Sequence, residues 1–240
     1  MKIITLAFLI FSLNVFSQQS PNTKKVDYKS IEKEIKNKDS EFYFQNLKKR
    51  FVELDTTLTT THLHHLYYGS SLMNDFKVHN RHTLDEKILK YYQSENISDE
   101  QWNEIITYNE NLIAKELFID FEAFDILLTA YHITNNLDKY NKLGALYDKL
   151  LGALLETGNG LTQETAMDVI STTHEYYIMQ TLDLNVSGQS LLTDNEGRSY
   201  DFLAVKYTDD DKEETENADR LEGLYFDVTR LFELYAERFK

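Results

Sequence analysis

The chain has 240 residues, 42% of them hydrophobic, with no cysteine and a single proline, and its 25 Lys and Arg against 40 Asp and Glu give a formal charge of −15 at pH 7. Without cysteine there are no disulfides, thiolate metal sites or cysteine nucleophiles, so stability has to come from a packed core, for which one domain of this length suffices. The acidity repels polyanions and makes nucleic acid a poor partner, leaving cations, neutral ligands and basic proteins open, although the same charge also serves plain solubility.

Lys2 leads into an apolar run over residues 3–16, and Val15 and Ser17 stand at the small-residue positions of a secretory cleavage site. The expectation is a signal peptide over residues 1–17, a mature chain from Gln18, and a periplasmic or secreted location. The run falls short of the roughly twenty residues that span a bilayer, so no membrane insertion is expected after cleavage. Residues 18–25 are polar, hold Pro21 and predict a disordered leader. Residues 26–240 predict a single, mainly α-helical domain.

Within it, Tyr28, Ile31 and Ile35 fall at helical spacing. Ser40 predicts the cap of a second helix carrying Leu47 and Phe51 inward, which stops at Asp55, Thr56 and Thr57. Thr59 then predicts an N-cap, with Leu58 and Leu63 as a hydrophobic staple and Gly69 as the left-handed residue ending that helix. After a weaker stretch with a short helix near Leu89, Ser98 and Gln101 form a capping box for a helix as far as Leu117, with Trp102 as a core anchor. An antiparallel helix pair follows, turning at Asn135 and Asn136. Beyond the Gly158–Asn159–Gly160 break, Thr162 predicts the cap of one more helix, with Ala166, Val169, Ile170 and Ile178 inward. From residue 185 the pattern turns strand-like: a hairpin of residues 190–193 and 200–207, an acidic loop over 208–219, a strand at 223–228 and a closing helix. The fold class expected is α+β, mainly helical, with a small C-terminal three-stranded antiparallel sheet.

The segments KKRF, DTTLT, LYYG, GNG, TAMDVI, HEYYIM, YDFLAV and LYFDV together resemble a family known as domain of unknown function 4919, secreted proteins of Bacteroidota. The resemblance implies export and one domain type, and no activity.

Candidate chemistry is sparse. His62 and His65 share a helix face at a spacing that lets two imidazoles reach one zinc or copper ion, yet no third ligand stands at fixed spacing, so no metal and no cofactor is assigned. His174 and Glu175 lack the second histidine of a zinc-protease motif, since Ile178 stands there. His174 reads either as a core histidine or as an acid–base group near Arg50 and Asp55. Asp209, Asp211 and Glu213 fail the EF-hand pattern at Glu214 and Arg220. The candidate functional residues are therefore Arg50, Asp55, His174, Glu175 and Tyr176. The leading expectation is a non-catalytic binding or protein-interaction domain of the cell envelope, taking a protein or small-molecule ligand through a tyrosine-rich surface. The alternative is a periplasmic hydrolase using His174 with Asp55 or Glu175, or a His62/His65 metal site.

Overall fold

The computed structural model describes residues 23–76, 85–94, 96–118, 121–206 and 221–238. The signal segment, residues 18–22 of the leader and the acidic loop lie outside the described residues. The elements in chain order are α1 (Tyr28–Lys36), α2 (Phe44–Val52), α3 (Thr60–Ser70), α4 (Glu86–Tyr92), α5 (Asp99–Lys115), α6 (Glu122–Ile133) and α7 (Leu137–Leu155). They continue with β1 (Met167–Asp168), α8 (Thr172–Thr181), β2 (Val186–Thr193), β3 (Ser199–Val205), β4 (Gly223–Asp227) and α9 (Thr229–Arg238).

Local chemistry sets most helix ends. The Asp27 carboxylate accepts the Ser30 N–H at the start of α1. Thr59 caps α3, and the reciprocal partner of its capping box is the ring of His62 in place of the usual Glu or Gln. Ser98 and Gln101 close the box of α5 as the sequence predicts. The C-termini of α2, α6 and α8 share one device: Leu54, Asn135 and Asp183 take left-handed φ values of 56°, 57° and 56°. The following N–H groups of Asp55, Asn136 and Leu184 then reach back to the carbonyls of Arg50, Tyr131 and Met179, which satisfies the last turn of each helix.

Several expectations are corrected. Ser40 does not cap α2; its hydroxyl accepts the Phe42 N–H in the preceding turn, and the helix starts at Phe44. Gly69 does not end α3 but lies within it, where a Cβ would come within 3.1 Å of the Ile35 side chain. Glycine is there for close packing of α3 on α1. No helix starts at Thr162: residues 162–165 form turns, Met167 and Asp168 pair as a strand, and Ser171 caps α8 through the Thr173 N–H. Trp102 is only half-buried.

Among the described residues the sheet has four strands in the order β1-β4-β3-β2, and β1 runs parallel to β4. The expected three-stranded antiparallel sheet is thus mixed, because the segment after Gly160 adds a strand whose partner comes some sixty residues later (Met167↔Phe226, Asp168↔Asp227). Strand alternation puts Met167, Phe226, Leu224, Leu203 and Asp201 on the face that meets α8, and Asp168, Asp227, Tyr200, Phe202 and Tyr225 on the other, where Tyr28 of α1 reaches Asp168. One hydrophobic core runs from Ile31 on α1 to Leu231 on α9, with Leu47, Leu58, Leu63, Leu66, Leu146 and Leu150 fully buried.

Candidate functional site

His174 is 1% exposed on the first turn of α8. Its Nδ1 stands 2.7 Å from the Tyr67 hydroxyl and its Nε2 2.7 Å from the Phe118 carbonyl oxygen. The carbonyl can only accept, so Nε2 carries the proton and Nδ1 accepts from Tyr67. The ring lies flat on Phe121, with centroids 4.1 Å apart. Burial drives its pKa down to about 3, so the imidazole is neutral and pins α8 to α3 and to the segment after α5.

Arg50 and Asp55 meet each other rather than His174. Arg50 Nε donates to Asp55 Oδ2 at 2.7 Å, and Nη2 donates to the Thr57 hydroxyl at 3.0 Å. That hydroxyl and the Thr57 N–H both bond to Asp55 Oδ1, at 2.5 and 2.9 Å. The Thr57 bonds, with Arg50, hold the Asp55 carboxyl down at about 2. The set fixes the corner between α2 and α3.

Of the three neighbouring histidines, His62 and His65 are hydrogen-bonded through both ring nitrogens or paired with a carboxylate, and His64 is held by packing. His62 Nδ1 lies 2.8 Å from the Thr59 hydroxyl and Nε2 3.4 Å from Glu41; His65 Nδ1 lies 2.9 Å from the Thr61 carbonyl and Nε2 2.7 Å from Glu34. His64 packs on Tyr68, and burial takes its pKa down to about 4. Among the described residues, no group of three or more His, Cys, Asp or Glu is arranged to hold a metal ion. The tyrosine pairs are mostly internal, with Tyr67 and Tyr68 fully buried and Tyr177 donating to Asp125 at 2.6 Å. Tyr176 is the exception, 44% exposed.

Glu175 and Tyr176 belong to a cluster between α8 and the sheet. Glu175 is fully buried, and within the described residues neither carboxyl oxygen has a hydrogen-bond partner when ionised. Burial and the neighbouring Asp201, to which a protonated Glu175 donates, push it up to about 9. Asp201 is 4% exposed and accepts from Gln189 Nε2 at 2.8 Å, while Gln189 Oε1 accepts from the Tyr176 hydroxyl at 2.8 Å. Gln189 and Tyr176 are exposed, so a two-bond relay runs from solvent to a buried acid pair.

A second pair lies on the opposite face. Asp168 and Asp227 are register partners at the C-terminal ends of the parallel strands. Tyr28 donates to Asp168 at 2.7 Å, Arg198 forms an ion pair with Asp227, and Thr229 N–H donates to Asp227 at 3.0 Å. Burial, followed by the Asp227 charge, pushes Asp168 up to about 8. Arg230 lies over the Tyr28 ring and bonds the Ser71 carbonyl at 3.4 Å. A shallow depression of about 440 Å³ lined by Lys87, Glu104 and Tyr108 includes none of these residues.

Sequence reasoning named Glu175 and Tyr176 but missed Gln189, Asp168, Asp201 and Asp227. For the aspartates a signal was present: each stands alone in an apolar run, in AMDVI, YDFLAV and LYFDV, where a carboxyl is costly without a reason. With them, the distant segments LYYG, TAMDVI, HEYYIM, YDFLAV and LYFDV meet along one seam between helices and sheet.

The class defined is a helix-rich mixed α/β protein with a four-stranded sheet and two carboxyl pairs at its seam. Residues 29–237 match the family described as a domain of unknown function (DUF4919), and the chain belongs to that family. No curated protein and no solved structure matches it. Among the described residues no helix is long and apolar enough to cross a membrane.

Proposed function

We propose that the protein is an exported, non-catalytic binding domain of the cell envelope that receives an extended segment of a partner protein along strand β2. The observation that supports this reading is the edge itself. Among the described residues β2 is bonded on one side only, and beyond an irregularity between Val186 and Gly188 it runs in regular register to Thr193, with neither charge nor proline in its sequence VSGQSLLT. Leu191, in its middle, is 54% exposed. Sheet edges left open to water are ordinarily blunted by lysine, proline or short length, and an open one offers a row of main-chain donors and acceptors for strand addition. The hydrolase alternative needs an imidazole within reach of a substrate, whereas His174 is 1% exposed and both its nitrogens bond to core groups.

The test is a screen of extended, uncharged and basic peptides by backbone NMR. Binding is expected to shift amides of β2 and β3 and to be lost in Leu191→Lys, which places a charge on the exposed edge without touching the core. Peptide-induced shifts confined to other surfaces, or none at all, would count against the reading. Export is supported by the first seventeen residues and is tested separately below.

A further inference from the structure

We propose that the Glu175–Asp201 pair is the docking site for one arginine guanidinium of the partner segment. The inference rests on the strand-addition reading above and deepens it.

A cluster of carboxyls proves nothing by itself, since a solvated acidic face is common. Glu175 is different because it is fully buried and, within the described residues, both its oxygens lack a hydrogen-bond partner when ionised. Leaving a buried carboxylate unpaired costs several kcal/mol, so in the free protein the group stays protonated, with its O–H directed at the Asp201 carboxylate. Once ionised, the two adjacent oxygens present the geometry that a planar guanidinium engages in two parallel hydrogen bonds. The chain carries a formal charge of −15, which favours the approach of a cation.

The route in is the relay through Gln189. Gln189 belongs to the same strand β2 that offers the edge, and its register partner is Leu203, while Leu191 faces Asp201. Gln189 and Leu191 therefore share the face of β2 that looks toward α8. A strand added outside β2 lies two strand spacings from β3, about 9.5 Å, the distance covered by an arginine and an aspartate side chain reaching toward each other. On arrival the guanidinium takes over the Gln189 hydrogen bond to Asp201 and pairs with Glu175. The Glu175 proton leaves to solvent, so the neutral acid and the incoming cation become an ion pair plus one released proton. The titratable groups facing Glu175 are Asp201 from β3, Tyr176 from α8 and Tyr67 from α3.

The probes are two acetylated, amidated peptides of alternating threonine and valine, one with a central arginine and the other with citrulline, its uncharged isostere. Titration calorimetry on the full mature chain at pH 7, in two buffers of different ionisation enthalpy, gives affinity and proton count together. The arginine peptide is expected to bind about ten-fold to a hundred-fold more tightly, as for a charge-assisted bidentate bond, with release of about one proton. Glu175→Gln should erase both the preference and the proton release while the citrulline peptide still binds. Asp201→Asn should reduce the preference, and the proton count on the unmodified chain decides the matter even if a variant folds poorly. Equal binding of the two peptides without proton release overturns the docking site and leaves strand addition standing. Binding of neither peptide overturns both. Proton release on adding calcium chloride alone, with no arginine preference, assigns the pair to a metal ion and likewise overturns the proposal.

Discussion

The hydroxyl of Tyr67 and Nδ1 of His174 stand 2.7 Å apart in the core, and the same hydroxyl oxygen accepts the Ile170 N–H at 3.3 Å. One phenol thus satisfies a ring on α8 and a main-chain donor just before it. Tyr67→Phe leaves both unpaired at almost unchanged volume and is expected to cost about 1–3 kcal/mol, read as a shift of the urea midpoint at constant slope. His174 itself should show the Nε2-protonated tautomer in nitrogen NMR and no titration between pH 8 and 5. A histidine that charges in that range would contradict the neutral pin.

The buried acids and buried histidines act on stability in opposite directions. Folded Asp168 and Glu175 keep their protons to about 8 and about 9, whereas unfolded carboxyls lose them near 4. The native chain binds more protons across that window, so their contribution is complete below about pH 4 and is lost as pH rises through 8 and 9. His174 and His64 are depressed to about 3 and about 4 against roughly 6.5 unfolded. Their contribution is present above about pH 6.5 and is lost as pH falls. The urea midpoint should therefore peak on the acid side of neutrality and fall toward pH 9, and Asp168→Asn combined with Glu175→Gln should flatten the alkaline limb. A midpoint climbing from pH 6 to pH 9 would exclude this account.

Gly158 occupies space that no side chain can share. A Cβ there would stand 2.2 Å from the Thr165 carbonyl oxygen and 2.4 Å from that of Ala166. Gly158→Ala should cost more than about 2 kcal/mol by overpacking against backbone, with loss of amide protection at Met167 and Asp168 in hydrogen exchange.

The capping box of α3 uses a histidine, since the Thr59 N–H donates to His62 Nδ1 at 3.1 Å and the Thr59 hydroxyl accepts the His62 N–H at 3.2 Å. Thr59→Ala is expected to cost about 0.5–2 kcal/mol. His62→Gln should be nearly neutral because it keeps the box, and thermal melting of the two variants separates them.

The export reading has its own check. Intact mass of the protein recovered from the envelope or medium of its native host should correspond to a chain starting at Gln18, and an intact Met1 would remove the secreted placement.

The helices were largely legible because their information is local. Thr59 and Ser98 announce starts, Asn135 and Asn136 announce a turn, and the apolar spacing of residues such as Ile31 and Ile35 gives the inward face. The sheet was less legible because its pairing is not local. Two residues, Met167 and Asp168, are too few to show a period of two, and their partner lies at Phe226 and Asp227. Gly69 was misread for a related reason, since the Ile35 contact that requires it comes from another helix. Of the candidate site, Arg50 and Asp55 were expected near His174, whereas they bond to each other and brace a corner. Glu175 was named beside His174, its sequence neighbour, while its real companion is Asp201.

The strand order also sets a schedule. β4, one of the last segments of the chain, lies between β1 and β3, which come earlier in the sequence. Before residues 223–227 join, the helices up to α8 and the β2–β3 hairpin can form, yet β1 has nothing to pair with and the centre of the sheet is missing. Completion of the sheet beside α8 therefore waits for residues 223–227, so that the strand that follows the others in sequence order is the one that joins β1 to the β2–β3 hairpin.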